Sequence, residues 1–393
     1  MSPTNPSTKH FLRDLPAETI LSIMEELPPW SLANFALSAK QYLWLYNSYK
    51  VTTMRRMVQN LPESKLQLLL HTAGREELQP SRMFCPRVII YTGEEKKITL
   101  MDVDVVPEWF SGVPVPKFGL VFTDIQEIWK RAEVVDWWCE VYCRVRWRNA
   151  PEDRRPLRPH EQVRLRMAIV RWWLFSHYHH GLVYRHRTPY HPKRWERCDT
   201  RLMHIRYLST SEIWELRDFF CRVRDTVSKD LCTSPERVCL CKDGYGVDLV
   251  PWSQDQGRHS KIVRTYMKLD PEQLRYYLTN YPNWKRTTTI SAVTTACRSS
   301  DFSRDAETLS VSINKVLEER MAAKGIQDWS SLPRFGILDE DRASEQDHAE
   351  WLHDAWPDGH VPQDVDERLR GLPSDTSSLV CRGDDGTDEF IPF

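Results

Sequence analysis

At 393 residues the chain is long enough for a small module followed by a larger domain, and its 41% hydrophobic and 28% charged content is that of a globular protein, not a disordered or fibrous one. Its formal net charge of -1 provides no overall attraction to nucleic acid or to an anionic membrane. No stretch approaches the roughly 20 apolar residues of a membrane helix, and residues 1–10 are polar without a signal-peptide core, so a place in the cytoplasm, the nucleus or both is expected.

The first element opens at Leu15-Pro16-Ala17-Glu18, where proline suits a helix start and Glu18 complements its positive end. Ile20, Ile23, Met24 and Leu27 recur at helical spacing, and Pro28-Pro29 ends the run. Leu32, Phe35 and Ala36 mark a second short helix. Tyr42, Leu43, Leu45, Tyr46 and Tyr49 mark a third, after Ser38-Ala39-Lys40. Residues 51–61 and 65–71 read as two further short helices, broken at Leu61-Pro62. From Pro80 to Pro116 prolines frame short β-rich runs, Arg87 to Tyr91 and Lys97 to Leu100, consistent with loop and one small hairpin.

Thr123-x-x-Gln126 has the form of a capping box ahead of a stripe through Ile125, Ile128, Trp129, Ala132, Val135, Trp138, Tyr142 and Val145. A second long helix is expected over His160 to His179, with Val163, Met167, Val170, Trp173, Leu174 and His177 in register and Arg164, Arg166 and Arg171 on its polar face. Ser209-x-x-Glu212 opens a third, carrying Ile213, Trp214, Leu216, Phe219, Phe220 and Val223. Asp270-Pro271-Glu272-Gln273 opens another, with Leu274, Tyr277 and Leu278, and residues 304–324 give the last. After Gly325 the chain turns acidic. Trp329, Leu332, Phe335, Trp351 and Trp356 are candidates for packing there, and residues 373–393 read as a mobile tail. The fold class expected is mainly α, with an irregular helical domain and at most a small hairpin. No internal repeat is present.

The N-terminal segment resembles the F-box family, in the form found in filamentous fungi. The resemblance rests on Leu15-Pro16-Ala17-Glu18, Ile20, Ile23, Leu27, Leu32, Leu37-Ser38, Tyr42 and Leu45. Thr19 stands where an aliphatic residue is usual, and Tyr42 where tryptophan is common. Residues 164–175 are similar to a segment downstream in many fungal F-box proteins. The resemblance implies an F-box over residues 11–50, a helical body over 51–335 as candidate substrate-recognition domain, and an acidic, partly disordered segment over 336–393, with residues 1–10 disordered. It also implies partners: a Skp-type adaptor held by Leu15, Pro16, Ile20, Ile23, Leu27, Leu32, Leu37 and Tyr42, a cullin scaffold reached through that adaptor, and an unidentified protein substrate. Physical chemistry points the same way, because three short helices cannot bury their own apolar residues and need either a partner or the chain's own body to cover them.

No catalytic motif is legible, and neither a cofactor nor a metal is expected. Ten cysteines are scattered as reduced thiols would be. Cys232-x6-Cys239-x-Cys241, with Cys198 upstream, lacks the paired knuckles of a zinc site, so thiols are the better reading. Cys139 and Cys143 share one helix face. His177, His179, His180 and His186 crowd a helix end, where the dipole favours them. Trp137-Trp138 and Trp172-Trp173 each put a member on an apolar stripe, which favours core over a base-stacking platform. Asp102-x-Asp104 is too short a signal for a metal site, and Gly244-Tyr245-Gly246 suits a turn better than a phosphate loop. Basic residues outnumber acidic ones from Arg131 to Arg224, while after Gly336 only Arg342, Arg368, Arg370 and Arg382 oppose many carboxylates. Two functions follow. One is substrate recruitment for a Skp–cullin–F-box ubiquitin ligase. The alternative is a nucleic-acid-binding or other interaction protein using Arg164, Arg166, Arg171, Arg185 and Arg187, its N-terminal helices docked internally. Nucleic acid is the less expected partner, and it requires those arginines to form an exposed strip not covered by the acidic segment.

Overall fold

The computed structural model describes residues 15–27, 29–73, 89–91, 97–99, 117–119, 121–180, 200–231, 237–240, 247–250, 263–280 and 307–356. Helix dominates, as the apolar periodicity requires. Four helices come first: α1 (Ala17–Glu26), α2 (Pro29–Leu37), α3 (Lys40–Asn60) and α4 (Ser64–Ala73). The body contains α5 (Phe122–Arg146), α6 (Pro159–Phe175), α7 (Thr200–Arg206), α8 (Thr210–Thr226), α9 (Pro271–Asn280) and α10 (Leu309–Ala323). Strands are short. The expected hairpin pairs β1 (Ile89–Tyr91) with β2 (Lys97–Thr99) in the register Ile90↔Ile98, and β3 (Lys117–Gly119) adds in parallel to β1. A second antiparallel ribbon, β4 (Arg237–Leu240) with β5 (Val247–Val250), was not expected.

Local signals set the helix ends. Ser209 and Glu212 form a reciprocal capping box: the Ser209 Oγ accepts the Glu212 N–H at 3.3 Å, and Glu212 accepts the Ser209 N–H at 2.9 Å. Asp270 and Gln273 do the same ahead of α9, at 2.8 and 3.3 Å. The box expected at Thr123 and Gln126 is displaced. It is Asp124 that accepts the Val121 N–H at 2.8 Å, because the helix starts two residues earlier. Two other boundaries change. Residues 40–60 form one helix bent at Tyr49 (φ -117°, ψ 16°), since neither proline nor glycine stands between them, so residue 50 is no border. The α-helix expected to reach His179 stops at Phe175 and continues as a π turn, Ser176–His180, which leaves His177 exposed.

α6 is the central helix, packed on α4, α5 and α8. It is buried nearly all round, not along one stripe. Leu165, Ile169, Trp172 and Phe175 are as buried as Val170 and Leu174, whereas Val163 is exposed. Both tryptophan pairs serve the core: Trp138 meets Trp172 edge to face at 5.3 Å, and Phe219 lies 6.0 and 5.8 Å from the two rings.

Residues 336–356 of the acidic segment are part of the same packed body, and residues 357–393, with the expected tail, lie outside the described residues. Phe335, Ile337, Leu338 and Trp351 are buried, and Asp339 and Glu340 lie on the basic start of α6. Arg158, His160 and Arg164 all reach Asp339, the last at 2.5 Å, while Arg155 reaches Glu340 at 2.8 Å and Arg146 reaches Asp341 at 3.1 Å. Glu161, wholly buried, ties the strap to the helix. It accepts the N–H groups of Arg158 (2.8 Å) and Asp339 (3.0 Å) and two bonds from Arg155 (2.7 and 2.6 Å). Burial pushes its carboxyl up, but Arg155 and the two backbone N–H groups outweigh that and hold it at about 2. A carboxyl held below its unfolded value of 4.5 adds stability above that pH, and the contribution is lost as the pH falls toward 2. Glu161→Gln is therefore expected to cost about 2 kcal/mol at pH 7. It should also flatten the acid loss of stability between pH 4.5 and 2, as read from urea midpoints across that range.

Candidate functional site: the N-terminal helices

The three N-terminal helices build a small core of their own. Ile20 and Met24 of α1, Leu32 of α2, and Tyr42, Leu45 and Met57 of α3 are buried together. Phe35 stacks on Tyr42 at 4.8 Å with the rings nearly parallel. Trp129 of α5 packs against this cluster from the body. The bend at Tyr49 lets one helix serve both parts: Tyr42 and Leu45 face the module, while Met54 and Val58 join Leu68, Ile125 and Ile128 in a second cluster. Arg56 grips both carboxylate oxygens of Glu25 at 2.9 Å, and the Asn60 amide donates to Glu26 at 3.2 Å, fixing the end of α1 against α3.

The eight residues expected to hold an adaptor are therefore divided. Ile20, Leu32 and Tyr42 are 1%, 1% and 4% exposed, so here they hold the module together and offer no contact surface. Leu15, Ile23 and Leu27 are half-buried. Pro16 is exposed, as is Thr19, and Leu37 at the end of α2 is 70% exposed. The expectation that these helices could not cover their own apolar residues is corrected for the buried three, because the second half of α3 and Trp129 complete the core.

The open apolar surface lies elsewhere. Five of the eight large apolar side chains exposed among the described residues fall between residues 37 and 51: Leu37, Leu43, Trp44 (65% exposed), Tyr49 and Val51. Trp44 and Val51 lie seven residues apart on α3, on either side of its bend. Lys50 lies over the rings of Tyr46 and Phe122 beside them, at 5.9 and 5.6 Å. Burial raises the Tyr46 phenol above its usual value. Sequence reasoning missed Trp44 and Val51. The available signal was a tryptophan out of phase with the stripe Tyr42, Leu45, Tyr46, Tyr49.

The other constellations do not assemble a reacting centre. Arg166 is buried, bonded to Glu63 at 2.8 and 2.6 Å and to Asp136; Arg171 is buried against Glu212; and Arg164 is held by Asp339 and the Ile337 carbonyl. These three form no exposed strip, and the acidic strap covers Arg164. Arg185 and Arg187 lie outside the described residues. His179 and His204 meet nitrogen to nitrogen at 3.1 Å beside Phe175. Burial holds both imidazoles down, His204 at about 3, so they stay neutral near pH 7. His71 meets Asp124 at 2.9 Å, with both side chains buried. Its pKa is lowered first by burial and then by Arg131, against Asp124 and Glu127. Cys139 and Cys143 are free thiols, and burial pushes both up. Among the described residues no group of three or more histidine, cysteine or acidic side chains could hold a metal. Cys198, Cys232, Cys241, Asp102, Asp104, His186 and the Gly244–Gly246 turn lie outside them, as does the side chain of Cys239. No described helix is long and apolar enough to cross a membrane.

Comparison of the chain with protein-family models, with curated proteins and with solved structures finds no match.

Proposed function

We propose that residues 15–51 act as an F-box-like docking module for a Skp-type adaptor, and that the chain is a substrate-recruiting subunit of a Skp–cullin–F-box ubiquitin ligase. The observation that carries this reading is the concentration of exposed apolar side chains at Leu37, Leu43, Trp44, Tyr49 and Val51. An exposed tryptophan amid aliphatic neighbours is the composition of an interface hot spot. The F-box resemblance of Leu15 to Leu45 names the kind of partner. Internal docking through Met57 and Trp129 encloses Ile20, Leu32 and Tyr42 and leaves these five side chains exposed. The function is non-catalytic: the helices supply an address and the body a surface.

Co-expression with a Skp adaptor and pull-down on either partner tests the reading. A stable complex is expected, and Leu37→Asp combined with Trp44→Asp should weaken it at least tenfold with an unchanged melting temperature, since both side chains are exposed. Absence of binding by the folded wild-type chain, or full binding by the double variant, would sink the proposal.

A further inference from the structure

The exposed side chains between residues 37 and 51 also carry a charge pattern. No acidic residue occurs from Leu27 to Pro62, while Lys40 and Lys50 lie within the exposed stretch. Lys40 is exposed at the start of α3 and stands three and four residues before Leu43 and Trp44, so the three are neighbours on the half of the helix before its bend. Lys50 follows the bend, between Tyr49 and Val51. Among the described residues neither lysine meets a carboxylate, whereas Arg56 is taken by Glu25. An occupant of this stretch is therefore expected to join large apolar side chains to carboxylates and to bring no cation of its own. One segment of the chain has that composition. Asp384, Asp385, Asp388 and Glu389 run directly into Phe390, Ile391 and Phe393, with no lysine or arginine among residues 383–393. An earlier acidic run, Asp364, Asp366 and Glu367, is followed at once by Arg368 and Arg370.

We propose that residues 384–393, which lie outside the described residues, dock on the exposed stretch as an internal competitor for it. Phe390, Ile391 and Phe393 cover Leu43 and Trp44, and the carboxylates face Lys40 and Lys50. The chain is long enough. About 28 residues separate Trp356 from Asp384, which can span up to roughly 90 Å, against a diameter of roughly 55 Å for a folded body of this size. A tether of this length holds its end at about millimolar effective concentration, so a contact of only submillimolar strength keeps the stretch covered most of the time. A second molecule that needs Trp44 must first displace the segment, which makes it a brake on docking. The inference rests on the exposed side chains and their charge pattern, not on the identity of the adaptor.

Photo-cross-linking of the full chain tests it, with p-benzoylphenylalanine placed at Thr387, which leaves the charged and apolar residues of the segment intact. On irradiation of the dilute protein alone, cross-links mapped by peptide mass spectrometry are expected within residues 37–51. Trp44→Asp should lower their yield at least tenfold, and so should Phe390→Ser combined with Phe393→Ser, each with an unchanged melting temperature. Raising the salt from about 0.05 to 0.5 M should lower the yield about threefold or more, because exposed charge pairs are screened. Absence of cross-links from residues 37–51, or a yield there that either replacement leaves unchanged, overturns the proposal. Cross-linked dimers in place of monomers assign the stretch to the segment of a second copy and overturn the internal docking. A yield indifferent to salt overturns the pairing with Lys40 and Lys50. The adaptor is absent from the measurement, so failure here leaves the adaptor reading standing, and failure of the pull-down leaves this inference standing.

Discussion

Replacing Glu319 by leucine is expected to lower the unfolding free energy by about 3–5 kcal/mol at pH 7, the cost of breaking a buried ion pair. Glu319 of α10 and Arg206 at the end of α7 are both fully buried, bonded at 2.9 and 3.0 Å. The Arg206 carbonyl accepts from Arg320 and from the Trp356 N–H, both at 2.9 Å, so the pair sits where three segments join. Loss of Glu319 removes the carboxylate from a buried guanidinium that cannot give up its proton. Arg206→Met should cost less, because the remaining carboxyl can neutralise itself. Burial already pushes Glu319 up to about 7 in the intact protein, despite Arg206. A folded value above the unfolded 4.5 means that this carboxyl contributes its stability below pH 4.5 and loses it as the pH rises through 7. The two deficits therefore move in opposite directions. That of Glu319→Leu shrinks from pH 4.5 to 7, whereas that of Arg206→Met grows above 7, where its unpaired carboxyl stays protonated longer. Urea unfolding of both variants and of the double replacement across pH 5 to 9 reads this out. The double replacement should recover most of the loss.

The second large effect is expected at Trp138. Trp138→Ala should cost about 3–5 kcal/mol, through lost burial and the cavity left behind. The ring is fully buried, meets Trp172 and Phe219 edge to face, and donates its indole N–H to the Pro271 carbonyl at 2.9 Å. Truncation also removes the indole bond to the start of α9, so the contact between α5 and α9 is weakened. Trp44→Ala should change stability by less than about 0.5 kcal/mol, because the ring is 65% exposed. It should instead weaken adaptor binding. Melting curves and adaptor pull-downs on the two variants separate a tryptophan that builds the protein from one available to a partner. Equal destabilisation by both changes would contradict the assignment of Trp44 to an open surface.

Features that depend on a few adjacent residues were legible from the sequence. The capping box at Ser209–Glu212 forms as expected, the helix expected to open at Asp270-Pro271 does so, and the stripe of α5 points into the core from Ile125 to Val145. Such signals are local: a cap joins residues three apart, and a stripe follows from 3.6 residues per turn. The candidate site was legible in part. The helices expected between residues 15 and 49 are present, but which of their apolar residues face outward depends on what covers them. Ile20, Leu32 and Tyr42 were expected to contact a partner, yet Met57 and Trp129 enclose them. Trp44 was left out of the expected contacts, yet it remains open.

The sequence by itself determined the helical class, most helix starts, the core role of the paired tryptophans and the excess of arginine in the middle of the chain. The tertiary structure alone decided where each arginine is used. Arg164 finds Asp339, Arg166 finds Glu63 and Arg206 finds Glu319, pairings across 175, 103 and 113 residues. A charge's partner is set by Coulomb attraction and shared burial in three dimensions, neither of which has a period along the chain. For the same reason an arginine-rich helix face that reads as solvent-exposed or nucleic-acid-binding becomes, once folded, the inside of the protein.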